Sequence, residues 1–210
     1  MIRGGSEVTM QTLEQQAAGH EILYREGFLD SAGCDLLARC FERCVGLTFK
    51  NPMGDPFWDD RYLWITSLPD TEAAARSLMQ ATRFRALAAL REFYGEPELY
   101  SDTIQLVKWK TGMSMPPHAD NAHPDGSPHD TPWRDYASVV YLNDDYEGGD
   151  IYFPRIPLRL ATRKGLLLGF RGDYRHEHGV DEIKRGVRYT MPGWYSRDRA
   201  HEDPSVHAKW

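Results

Sequence analysis

Pro116-Pro117-His118-Ala119-Asp120-Asn121 sets a histidine and an aspartate two residues apart. On an extended strand, residues i and i+2 project to the same side. His118 and Asp120 can therefore grip one metal ion together. A third ligand has to come from far along the chain. The segment Tyr174-Arg175-His176-Glu177-His178-Gly179-Val180 offers one. His178 opens an apolar strand pattern and is the favoured third ligand. His176 has the same parity, two residues away, and remains the rival.

The chain around this stretch has 210 residues, 41% of them apolar and 12% aromatic. That suits one domain with a β-rich interior. A net charge of −6 and a pI near 5.7 lack the basic field of a general nucleic-acid binder. No run of 18 apolar residues marks a transmembrane helix, and Met1-Ile2-Arg3-Gly4-Gly5-Ser6 has no apolar signal core. The expectation is a cytoplasmic protein with neither a nucleic-acid nor a membrane partner. Cys34, Cys40 and Cys44 are odd in number and clustered in one helical segment. They read as core packing, not a disulfide framework.

Residues 1–19 read as a loose leader with a short helix near Leu13, and 20–196 as a single domain. Its first part, 20–97, holds a strand at 21–24 and a helix over 31–45 capped by Asp30 or Ser31. A loop over 50–60 follows, then a strand over 61–68. A second helix, over 71–93, is stopped by Gly95 and Pro97. In that loop, Phe57 and Trp58 either cover a pocket or simply pack. In the second part, 98–196, the pattern turns to strands at 98–110, 136–142, 151–153, 158–162, 166–170, 178–183 and 187–195. Helices first and evenly spaced strands afterwards predict a mainly β double-stranded β-helix, a jelly roll of cupin type, with helices packed outside. Residues 197–210 read as a polar, loosely held tail.

Two histidines and one carboxylate with open positions are the ligand set of non-haem iron(II) oxygenases. The same set can hold zinc with an open position, and Glu177 is then the nearest general base. Downstream, Arg188 and Thr190 alternate onto one face of the last strand. If that strand forms a hairpin with the strand of His178, Arg188 returns toward the metal. Its planar fork matches the two oxygens of a carboxylate. A dicarboxylate could then meet the metal with one end and Arg188 with the other. Asn121, Arg134 and Asp135 lie near enough in sequence to reach substrate or support the ligands. Residues 122–132 read as a surface loop over substrate, with His123 and His129 either solvated or part of it.

Pro117-His118-Ala119-Asp120-Asn121, the block from Trp133 through Tyr141-Leu142-Asn143 to Glu147-Gly148-Gly149-Asp150, and His178-Gly179-Val180 with Arg188 ten residues on resemble the 2-oxoglutarate and iron(II)-dependent dioxygenases. The wording is most similar to the prolyl hydroxylase group, and within it to the prolyl 3-hydroxylase (leprecan) catalytic domain. The resemblance covers roughly half the chain, residues 98–196. It implies a jelly roll with iron(II) on His118, Asp120 and His178. It implies 2-oxoglutarate and O₂ as cosubstrates, with Arg188 and Thr190 meeting the first, and ascorbate as a candidate reductant. The position nine before His118, usually Tyr in prolyl 4-hydroxylase-like members, is Trp109, which offers a single N–H to the cosubstrate. Asn121 and Arg134 are then the substrate-binding candidates. The implied reaction is hydroxylation of an unactivated C–H bond of an amino acid, free or in a peptide and preferably prolyl, releasing succinate and CO₂. A small natural-product intermediate is the alternative substrate, and a non-catalytic metal-binding jelly roll the alternative role.

Overall fold

Local signals start and stop the helices. The computed structural model describes residues 12–52 and 56–208, so most of the expected leader lies outside the described residues. Helix α1 (Leu13–Ala18) begins where Thr12 and Gln15 cap each other's backbone. Asp30 caps α2 (Ser31–Arg43) by accepting from the Gly33 amide at 2.7 Å. Helix α3 (Ala73–Tyr94) ends at Gly95, whose φ of +65° lies in the left-handed region that glycine tolerates best. Strand β1 (Leu23–Arg25) precedes α2, and β2 (Tyr62–Trp64) lies between α2 and α3.

Ten strands follow: β3 (Tyr100–Lys110), β4 (Met115–His118), β5 (Tyr136–Tyr141), β6 (Glu147–Gly148), β7 (Ile151–Phe153), β8 (Leu158–Leu160), β9 (Leu167–Arg171), β10 (His178–Val180), β11 (Ile183–Arg185) and β12 (Val187–Ser196). They pair into a six-stranded sheet of order β1-β9-β5-β12-β3-β2, a four-stranded sheet β4-β10-β7-β8, and the small pair β11-β6. The two larger sheets face each other as the expected jelly roll.

Burial explains the arrangement. Along β5, Tyr136 and Val140 join Leu37 of α2 and Leu90 of α3 in a core beneath the helices. The alternate residues Ala137 and Tyr141 enter a second core between the sheets, with Ile151 and Phe170. A strand covered on both faces can be an unbroken apolar run, as Tyr-Ala-Ser-Val-Val-Tyr nearly is. The helices thus back the larger sheet and leave its inner face to the site.

Three expectations change. The strand read over 178–183 is two: β10 pairs with β4 and β7, and β11 pairs with β6. No hairpin joins β10 to β12. β12 runs in the opposite sheet between β5 and β3, because its residues are buried on both faces. The loosely held tail is instead docked. Asp203 donates its amide to the Ser101 carbonyl at 2.9 Å, and the fully buried Arg83 of α3 donates to Ser205 Oγ at 3.0 Å.

Leu90 is fully buried in the layer between α3 and the larger sheet. Leu90→Ala is expected to lower unfolding free energy by about 2–5 kcal/mol, as read from urea denaturation.

Candidate metal centre

β4 and β10 run antiparallel with His118 directly opposite His178, their rings 4.4 Å apart. His118 Nδ1 lies 3.0 Å from the Pro116 carbonyl oxygen, and His178 Nδ1 lies 3.2 Å from that of His176. With each Nδ1–H donating to its carbonyl, each Nε2 keeps its lone pair for a metal. Burial, and then the neighbouring His118, push the His178 pKa down to about 4, against the opposing pull of Asp120. Its ring is therefore neutral near pH 7, as ligation requires.

Asp120 follows β4 and is fixed from three sides. Its amide donates to the Gly172 carbonyl at 2.9 Å, and its own carbonyl accepts from Thr131 Oγ1 at 2.9 Å. Its Oδ1 accepts from Trp194 Nε1 at 2.9 Å. Its Oδ2 is buried with no hydrogen-bond partner. Such an oxygen is costly unless something positive meets it. Ligand atoms of His118, Asp120 and His178 all lie within 4.8 Å of one another. Two imidazoles and one carboxylate with an unfilled oxygen fit an iron(II) ion.

His176 faces elsewhere. Its Nδ1 lies 2.8 Å from Asp173 Oδ1 and its Nε2 lies 3.2 Å from the His20 carbonyl, so both ring nitrogens are engaged. Glu177, the alternative general base, pairs with Arg155 at 3.3 Å. Cys40, Cys44 and Glu72 also converge. There, however, both Glu72 oxygens are taken by Arg43, at 2.5 and 2.7 Å. Burial raises both thiol pKa values. This cluster is a closed, packed one, in keeping with the core reading of the cysteines.

A cavity of about 90 Å³ between the sheets contains His118, Asp120 and His178 in its wall. The opposite wall carries Arg188, Thr190 and Trp109, with Arg188 in register with Trp109, and Thr190 with Tyr141. Arg188 thus reaches the site across the sandwich and not round a turn. Its guanidinium carbon lies 5.0 Å from the Tyr141 ring centroid. Arg188 Nε and Tyr141 Oη are buried without a well-formed hydrogen bond, although Arg188 is close enough to act on the phenol electrostatically. Burial pushes the Tyr141 pKa up to about 12, against the pull of Arg188, which keeps its O–H available to donate. A guanidinium and a phenol close together in a cavity wall have the chemistry to receive a carboxylate.

A second cavity of about 330 Å³ shares His118, Asp120, Trp58, Gln105, Met115 and Trp194 with the first. Trp58, Tyr62 and Trp64 give it an aromatic wall, and His129, Thr131 and Arg134 a polar one. Arg134 donates through Nε to Asp102 Oδ2 at 3.2 Å and lies 4.0 Å over the Trp194 ring. Asn121 lines neither cavity; its carbonyl accepts from the His129 amide at 3.1 Å. Asp135 accepts from the Arg197 amide at 2.8 Å and pairs with its guanidinium, so it ties down the tail. Tyr141 and Trp194 carry no motif that marks them in the sequence. Trp194 was within reach of strand parity, because 188, 190, 192 and 194 share one face.

Residues 104–196 match the family model of the 2OG-Fe(II) oxygenase superfamily. This segment, under half of the chain, is that of a 2OG-Fe(II) oxygenase and is prolyl hydroxylase-like; the superfamily uses iron(II), 2-oxoglutarate and O₂. Human prolyl 3-hydroxylase 3 is 33% identical over 103 residues, covering 43% of this chain and 14% of that protein. Human prolyl 3-hydroxylase 1 is 32% identical over 76 residues, covering 34% and 10%. The matches thus span only a small part of those relatives. Among solved structures, a Pseudomonas putida prolyl-4-hydroxylase superposes with a TM-score of 0.62 at 21% identity, covering 87% of this chain and 96% of that one. A Trichoplax adhaerens prolyl hydroxylase, in complex with a hypoxia inducible factor peptide fragment, gives 0.65 at 17%, covering 92% and 90%. These likenesses bear out the jelly-roll fold.

The two histidines of the Arg175–Val180 region separate by mutation. His178→Ala is expected to abolish tight Co(II) binding in a spectroscopic titration. His176→Ala is expected to retain it while lowering the melting temperature, since a buried ring with two engaged nitrogens is lost.

Proposed function

We propose that the chain is an iron(II)- and 2-oxoglutarate-dependent hydroxylase of an unactivated C–H bond in a prolyl-type amino-acid residue or free amino acid, releasing succinate and CO₂. One observation carries the reading: a single cavity pairs the unmet Asp120 Oδ2, flanked by His118 and His178, with the unmet Arg188 Nε and Tyr141 Oη across from it. A dicarboxylate cosubstrate would complete both ends. His118, Asp120 and His178 are the proposed iron ligands, and Arg188, Tyr141 and Thr190 the anchor for the distal carboxylate. Trp109 and Phe170 wall the cavity. When bound, iron(II), 2-oxoglutarate and O₂ supply the oxidising chemistry; the chain positions and encloses them.

The second cavity is the proposed substrate site. Its aromatic wall suits a saturated ring, and Arg134 is placed to meet a backbone or carboxyl oxygen of the substrate. The names of the relatives favour a prolyl target. The three cysteines are free and buried, in keeping with a reducing, cytoplasmic setting. Among the described residues no helix is long and apolar enough to cross a membrane. A purely structural metal would leave Arg188 and Tyr141 without a role, which speaks against a non-catalytic protein.

The test is succinate formation from 2-oxoglutarate with iron(II) and ascorbate under air, across proline, prolyl peptides and other amino acids. Turnover is expected, and His118→Ala and Asp120→Ala are expected to abolish it. Arg188→Ala should raise the KM for 2-oxoglutarate about 10- to 100-fold, the worth of a charge-assisted hydrogen bond. Tyr141→Phe should raise it about fivefold, the worth of an ordinary one. Absence of both coupled and uncoupled succinate across the panel would refute the proposal.

A further inference from the structure

We infer that Trp194 is a positioning residue for the metal centre: its indole N–H holds Asp120 Oδ1, so that Asp120 meets the metal through Oδ2 alone. The inference rests on the metal-centre reading above and goes beyond it.

A carboxylate can bind a metal through one oxygen or two. Two histidines, one aspartate oxygen and a chelating cosubstrate make five ligand atoms. A second aspartate oxygen would take the place left for O₂. The chain's own groups decide between the two modes. Trp194 Nε1 donates to Asp120 Oδ1 at 2.9 Å, while Oδ2 has no partner. Indole has a single donor and no acceptor, so its N–H is committed to Asp120.

The indole is held from outside. The Arg134 guanidinium lies 4.0 Å over its ring, and Arg134 Nε is tied to Asp102 Oδ2 at 3.2 Å. Asp102 Oδ2 also accepts from Trp133 Nε1 at 3.2 Å, and Trp133 stacks flat on His201 at 4.4 Å. The N–H therefore points at Oδ1 from a braced ring. Trp194 also lines both cavities, so a substrate in the second one rests against the residue that sets the aspartate's binding mode.

Trp194→Phe removes the N–H and keeps an aromatic face for Arg134. The whole chain, wild type and variant, is titrated with Co(II) in the absence of cosubstrate, with thermal melting of the metal-free protein as the folding check. Trp194→Phe is expected to bind Co(II) about 10-fold more weakly, the lower end of the effect of losing an outer-shell partner. Its visible absorption should also fall as Asp120 adds its second oxygen. A second measurement needs no variant. In wild-type chain labelled with ¹⁵N in the indoles and loaded with Zn(II), the Trp194 N–H resonance should exchange with solvent far more slowly than that of an exposed indole. Wild-type affinity and spectrum in a folded Trp194→Phe variant, or free exchange of that N–H in the loaded chain, would overturn the inference alone. A wild-type chain that binds no Co(II) would overturn the metal-centre reading and this inference with it.

Discussion

A buried carboxylate oxygen with nothing to meet it is the constraint on which this structure turns. No protein group meets Asp120 Oδ2, and the surrounding bonds hold the rest of the residue in place. The Gly172 carbonyl, which accepts from the Asp120 and Asn121 amides, fixes its backbone. Gly172 lies so close that a Cβ there would stand 2.1 Å from the Arg134 carbonyl oxygen. Any larger residue would push apart the segments that bring Asp120 and Arg134 together. The jelly roll thus acts as a clamp on one oxygen, and the paired histidines on β4 and β10 complete the donor set around it.

The two sheets divide the work. The smaller one contributes His118 and His178 through adjacent, antiparallel strands, so their spacing is set by backbone pairing and not by loops. The larger one contributes Arg188, Thr190 and Tyr141 from the centre of a six-stranded layer, backed by α2 and α3. A site built on such strands is more closely held than one built on loops. The wall of the second cavity comes instead from Trp58, Tyr62 and Trp64 and from residues after β4. This division suits a fixed reaction centre facing a more variable recognition surface.

The sequence made the centre legible and left its surroundings dark, for a physical reason. Parity along a strand is local, so Arg188 and Thr190 can be paired off from sequence; His118 and Asp120 are close in sequence, but β4 ends at His118 and the bend after it, held by the Gly172 carbonyl, brings Asp120 to the site. Pairing between strands is not local. Lys184-Arg185-Gly186 looks like a hairpin turn, yet β12 must bury Met191 and Tyr195 under the helices and Arg188 and Thr190 in the site. Only a central place in the larger sheet does both. Arg83 is similar: a buried arginine in α3 makes sense once Ser205 and Asp203 arrive from the far end of the chain. In sequence Tyr141 is one more apolar strand residue; its register opposite Thr190 puts it in the cavity wall.

The same register bears on the departure at Trp109. Where a tyrosine in similar proteins would present a hydroxyl, this chain has an indole packed edge-on to Trp58 at 6.0 Å. Tyr141 supplies a phenolic O–H from β5, on the other side of β12 in the same sheet, near Arg188. Arg188 is buried at 3% exposure, with Nε unpaired. A buried cation in that position asks for an anion as strongly as Asp120 Oδ2 asks for a cation. The two needs are opposite in sign and open into one cavity. A metal alone would meet the first and aggravate the second, and a monocarboxylate alone would do the reverse. On the proposed reading, a dicarboxylate that ligates the metal at one end and meets Arg188 and Tyr141 at the other satisfies both with a single molecule.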